Sequence, residues 1–135
     1  MPARSREPTL LLVLTLAALA LSALRPHDVF TWVLEVAPIL IGVPILVATA
    51  ARFPLTPLSY RLLALHALIL VVGGHYTYAE VPLGSWVRDA FGLARNHYDR
   101  LGHFAQGFVP AILTREILLR RTPLRAGGWL FFLVT

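Results

Sequence analysis

No cysteine and no lysine occur among the 135 residues, and carboxylates number only seven. Without cysteine there is no disulfide framework, no thiolate metal site and no cysteine nucleophile, so any chemistry must run on His, Asp, Glu, Tyr and Arg. Without lysine, all twelve basic residues and the formal charge of +5 come from arginine. These arginines are scattered between apolar blocks instead of forming one basic face, which argues against nucleic acid as a partner. Charged residues make up 14% of the chain, too few to cover a soluble domain of this size. Internal repeats, low-complexity tracts and coiled-coil heptads are also missing.

What is present is apolar. The chain is 57% hydrophobic with a mean hydropathy of +0.69, and its apolar residues fall into runs. The runs predict an all-α, polytopic transmembrane helical bundle in one integral membrane domain, residues 1–135. Four spans are expected at about 9–24, 29–51, 58–74 and 101–119, with the start of a fifth at 128–135. At about 1.5 Å per residue, the first would cover roughly 24 Å of a hydrocarbon core about 30 Å thick. Pro38, Gly42 and Pro44 predict a kink in the second. Phe53-Pro54 and Thr56-Pro57 read as a tight turn. Gly73-Gly74 reads as a point where the third span unwinds, and residues 80–98 read as a polar loop. Seven apolar residues cannot close a membrane helix, so the fifth run predicts either a fragment of a longer protein or a run that a partner has to stabilise.

Arginine placement orients these spans. Arg4, Arg6, Arg52, Arg61, Arg115, Arg120, Arg121 and Arg125 fall on one side, and Arg25, Arg88, Arg95 and Arg100 on the other. The positive-inside rule then gives a cytoplasmic N-terminus and an outer segment 75–100. A cleaved signal peptide competes for the first run, but that run continues past Ala18-Leu19-Ala20 to Leu24.

Three of the five histidines and three of the four tyrosines lie between Gly73 and Gly107. Asp99, His103, Gln106 and Pro110 recur at helical spacing along one stripe of the fourth span. Asp99 and His103 read either as metal ligands or an acid/base couple, or as a hydrogen-bonded packing pair. The predicted topology returns His75 and Glu80 to the same outer surface. The four residues His75, Glu80, Asp99 and His103 are therefore the candidate catalytic groups and the candidate ligands of a divalent metal such as zinc. Glu35, an acid inside the second span, is a possible fifth member or a protonated, hydrogen-bonded structural group; Gln106 is secondary. Trp32, Tyr76, Tyr78 and Trp86 read as aromatic-belt residues, His97 and Arg100 as solvated or headgroup-facing side chains, and His66 as a packing histidine. Glu116 reads as a routine i, i+4 partner of Arg120, outside the site.

The strings GGHYTYAEVPLG at 73–84 and ARNHYDRLGHFAQGFVPAILTREILLR at 94–120 resemble those of the YjdF family of bacterial inner-membrane proteins, to which no activity is assigned. The resemblance covers most of the chain and implies further helices beyond residue 135. More distantly, Asp99-Arg100-Leu101-Gly102-His103-Phe104 is similar to the Asp-Lys-x-x-His-Phe element of VanZ-like membrane proteins, with Arg100 in place of the lysine. That likeness implies that Asp99 and His103 form a functional pair.

Three functional readings follow. The first is a metal-assisted or His/Asp hydrolase or transferase acting on an envelope lipid or lipid-linked substrate. The second is a proton-coupled carrier with Glu35, Asp99 and His103 as a relay. The third is a non-enzymatic membrane assembly protein. Beyond the lipid bilayer the sequence names no partner, and it leaves the oligomeric state open.

Overall fold

A computed structural model describes residues 6–76, 81–93 and 96–135, and these residues contain six helices and no strand. The helices are α1 (Glu7–Ser22), α2 (Val29–Thr49), α3 (Pro57–Tyr76), α4 (Pro82–Phe91), α5 (Tyr98–Arg121) and α6 (Gly128–Val134). By length and composition α2 and α3 are able to cross a membrane, and α1 is a shorter apolar helix.

The organising element is α3. It buries Ser59, Ala67, Ile69, Leu70, Val71, Gly73 and Gly74, whereas α2 buries only Val36 and Ile39. Helices α1, α2 and α5 each pack on α3, and α6 packs on α5. Directions follow from contacts at the helix ends. Glu7 at the start of α1 pairs with Arg61 near the start of α3, and Ser22 at its end meets His75, so α1 and α3 run parallel. Trp32 and Glu35, early in α2, lie against Gly74, late in α3, so these two are antiparallel. Tyr98 reaches back to Ile69 and Glu116 to Ser59, which makes α5 antiparallel to α3 as well.

Several expectations need correction. The pair Gly73-Gly74 does not unwind: both residues are helical and buried, and α3 continues to Tyr76. A Cβ on Gly74 would sit 3.2 Å from the Glu35 Cβ and 3.5 Å from the Trp32 Cα, so the missing side chain lets two backbones approach closely. Pro38 and Pro44 do lie within one span, because α2 stays helical through both, as the expected kinked helix would. The segment read as a polar loop contains α4, which starts with Pro82 in its first turn and ends at Gly92 in the left-handed conformation, φ 64°. Its Leu83, Trp86, Val87 and Phe91 fall on one face and are exposed.

Helix α4 is held at its opposite edge. The Asn96 Nδ2 donates to the Val81 carbonyl at 2.9 Å and to the Ser85 hydroxyl at 3.4 Å, while the Asn96 Oδ1 accepts from the Tyr98 amide at 2.9 Å. The buried Tyr98 hydroxyl donates to the Ile69 carbonyl at 2.9 Å. Ile69, Val81, Tyr98 and Ala105 form the apolar cluster around this link, and a second cluster joins Val36, Ile39, Ala67, Leu70 and Val71.

Glu116 is more than a local partner of Arg120. Its carboxylate accepts from the Thr56 amide at 2.8 Å, from the Thr56 hydroxyl at 3.0 Å and from the Ser59 hydroxyl, while Arg120 donates to it at 2.8 Å. It therefore supplies, from α5, the anionic cap of α3, whose own first residue is a proline. Arg120 also donates to the Pro54 carbonyl and lies over the Phe53 ring, 3.9 Å from its centroid.

Two glycines separate packing from propensity. A Cβ on Gly84 would stand 1.9 Å from the Asn96 Oδ1, and Asn96 is fixed by its own hydrogen bonds, so Gly84→Ala should destabilise by about 1–3 kcal/mol. A Cβ on Gly42 meets nothing within 4 Å, so Gly42→Ala should be neutral or stabilising by up to about 1 kcal/mol. Thermal melts of the two variants in one detergent would check both signs.

Candidate functional site

The end of the bundle where α1 stops, α2 starts and α3 stops is built from polar groups in short reach of one another. Ser22 closes α1 with its hydroxyl donating to the Leu19 carbonyl at 2.7 Å, and the Trp32 Nε1 donates to the same hydroxyl at 2.9 Å. The connection to α2 turns through Arg25, φ 50°, before Pro26. The His27 amide then donates to the His75 carbonyl at 2.8 Å, tying this connection to the last turn of α3.

Asp28 is the N-cap of α2. It accepts from the Phe30 amide at 3.1 Å and from the Thr31 hydroxyl at 2.8 Å. The Thr31 hydroxyl, more than any other contact, holds its carboxyl below the usual aspartate value.

Within this frame the half-buried His75 places Nδ1 2.9 Å from the Ser22 carbonyl oxygen and meets Tyr76 edge to face. A carbonyl only accepts, so Nδ1 carries the proton of this bond. The neutral ring therefore presents Nε2 with a lone pair, the state required of a metal ligand or a general base. Packing of α2 also brings Glu35 to this turn, because its Cβ lies against Gly74, the residue before His75.

The other candidates are distributed as follows. Glu80 and Tyr78 lie outside the described residues, as does the side chain of Asp99, whose backbone forms the first turn of α5. His103, Gln106 and Pro110 share an exposed face of α5, adjoining the buried face of Gly102, Ala105 and Val109. The stretch of the predicted stripe from His103 to Pro110 is thus one exposed face. Among the described residues no three His, Asp or Glu side chains gather closely enough to hold a metal ion.

Two bland readings change. Trp32 is half-buried and hydrogen-bonded to α1 instead of standing as a belt residue, because the Ser22 hydroxyl provides its indole with a partner. His97 is half-buried with Nδ1 enclosed and without a partner among the described residues, since it sits at the N-cap of α5 between Asn96 and Tyr98, both buried. His66 encloses its Nε2 in the same unpartnered way. Asn96 and Tyr98 were not singled out in the sequence. The only local signal was a polar residue two positions before a helix start, a common capping arrangement.

An all-helical bundle with long apolar helices, exposed apolar flanks and its polar groups gathered at helix ends defines an integral membrane protein of the helical class. The family comparison agrees: residues 7–135 match the family described as predicted membrane protein DUF2238, and the chain belongs to that family. It is 51% identical to the inner membrane protein YjdF of Escherichia coli (strain K12), an alignment covering 97% of this chain and 64% of that protein. The chain thus spans a little under two-thirds of the length of that curated relative. No solved structure matches it.

The Asp28 cap gives a pH prediction. A carboxyl whose folded-state value is lowered stabilises the fold fully above its unfolded value, and that stability is lost as pH falls through the lower folded value. Melting temperatures of the wild type and Asp28→Ala should therefore differ by a few degrees near neutrality. The gap should narrow as pH drops below the ordinary aspartate value of 3.8.

Proposed function

We propose that this chain belongs to a multi-pass inner-membrane protein that acts on an envelope lipid or lipid-linked headgroup at its outer face. His75, Glu80, Asp99 and His103 provide the ligands of a divalent metal or the acid and base groups. The N-terminus is cytoplasmic in this reading, which the arginine distribution supports, and the relative's description as an inner membrane protein supplies the compartment.

The observation that carries the reading is the His75 ring. Its Nδ1–H is directed at the Ser22 carbonyl, which fixes tautomer and orientation and leaves Nε2 for a ligand or a substrate proton. A histidine ligand oriented through its second nitrogen by a backbone carbonyl is the usual arrangement at metal sites. The short likeness at residues 99–104 adds Asp99 and His103 by analogy.

Elemental analysis of the purified full-length protein tests this. Stoichiometric divalent metal is expected in the wild type, and the variants His75→Ala, Asp99→Ala and His103→Ala should each bind it about tenfold to a hundredfold more weakly while remaining folded. A metal-free protein with an intact fold would remove the metal version. Unchanged turnover of envelope lipid in all three variants would remove the acid/base version as well.

A further inference from the structure

Helix α4 turns its apolar side away from the protein. Leu83, Trp86, Val87, Ala90 and Phe91 share one side of its ten residues and are all exposed, Trp86 by 72% and Phe91 by 76%. Gly84, Ser85 and Arg88 share the other side, and they are the partly buried ones. Asn96 is the reason, because its side chain stands where a Gly84 Cβ would be and donates to the Ser85 hydroxyl. Water around such a helix would select the opposite arrangement, with the apolar side on the bundle and the polar side out.

We propose that α4 lies flat in the membrane interface, with its apolar side in the outermost part of the lipid acyl chains. Ten residues cover about 15 Å, half of a hydrocarbon core about 30 Å thick, so α4 is too short to cross. Its anchor sets the depth. Asn96 holds the Val81 carbonyl, and the buried Val81 belongs to the same apolar cluster as Ile69. Ile69 lies about 10 Å inward of the Tyr76 end of α3, a helix long and apolar enough to cross a membrane. An interfacial helix sinks its apolar side about 5–10 Å into the boundary between headgroups and acyl chains, which is the level this anchor gives.

The surroundings favour lipid as the partner. At this end of the bundle Phe30 and Leu34 of α2 and Leu101 and Phe104 of α5 are exposed as well, so α4 continues an apolar exterior of a membrane protein. Trp86 brings an indole, whose ring is apolar and whose N–H needs a polar partner, a combination that the headgroup boundary accommodates. Arg88 and Asp89 pair at 3.0 Å and leave the helix without net charge, so apolar area and not attraction to anionic lipid holds it. The inference does not rest on the function proposed for the His75 end.

The 135 residues contain no cysteine, so a spin label can be attached at one position at a time. The test uses the full-length protein, freed of any other cysteine, in phosphatidylcholine vesicles. Power-saturation electron paramagnetic resonance then compares collision of each label with oxygen and with a water-soluble nickel chelate. Labels on Leu83→Cys, Trp86→Cys, Val87→Cys and Phe91→Cys should favour oxygen several-fold more than labels on Arg88→Cys and Asp89→Cys, and should report a depth of about 5–10 Å. Asp89 is exposed, so Asp89→Cys alone supplies the polar-side reference if Arg88→Cys disturbs the fold. Replacing half of the phosphatidylcholine by phosphatidylglycerol should leave the pattern unchanged. Nickel access at every position would overturn the proposal, because the apolar side would then face water. Low collision with both reagents on the apolar side would overturn it too, because the rest of the chain or a second copy would then cover that side. A depth that changes with phosphatidylglycerol would overturn the statement that apolar area holds the helix.

Discussion

Close approach to α3 is the constraint on which the rest of the molecule depends. Helices that expose apolar residues to a lipid-like exterior gain little from the hydrophobic effect on meeting one another, so contact distance and hydrogen bonding must hold them. Helix α3 supplies both. Gly74 withdraws a side chain where α2 crosses, and Ile69 and Ser59 offer polar atoms to α5. Two of the partners of α3 at its last turn, Trp32 and Ser22, are also bonded to each other, so α1, α2 and α3 lock together at one point.

The two ends of α3 are fixed by different chemistry. At its start, the Glu116 carboxylate from α5 satisfies donors of Thr56 and Ser59 where the helix dipole is positive, and Arg120 balances the charge. At its end, neutral hydrogen bonds to backbone carbonyls dominate, through His27 and His75. Removing a charged cap leaves donors unsatisfied, whereas the neutral end has a ring with a second nitrogen in reserve. The middle of the helix has neither device. It relies on Ala67, Leu70 and Val71 packed against Val36 and Ile39, and beside that cluster α1, α2 and α3 leave a half-open cavity.

Sequence reading succeeded where one physical signal dominates a long window. The apolar runs located α1, α2, α3 and α5 to within a few residues at each end, since hydropathy over a span outweighs any single residue. It failed where the decisive partner is distant in the chain. Glu116 was read through Arg120, four residues away, while Thr56 and Ser59 are separated from it by 60 and 57 positions. Gly73-Gly74 was read through backbone freedom, whereas the packing of α2 decides the matter. Helix α4 was hidden by its length: ten residues give barely three turns of periodicity, and Pro82 and Gly92 resemble loop punctuation as much as helix boundaries. Of the candidate site, the grouping of polar residues near residues 73–107 was legible, but the orientation of His75 required knowing that α1 ends beside it.

Three histidines show why burial alone is a poor guide to chemistry. His66 and His97 each enclose a ring nitrogen without a partner among the described residues, and so each carries an unmet demand. His75 is different, because one nitrogen is committed to a carbonyl and the ring is thereby oriented. Orientation by a rigid partner is what lets the second nitrogen act on something brought to it, since no ordering cost remains to be met at that moment. An enclosed nitrogen is out of reach of anything brought to it. On this physical ground the His75 end, unlike His66 or His97, suits a reacting or exchanging ligand.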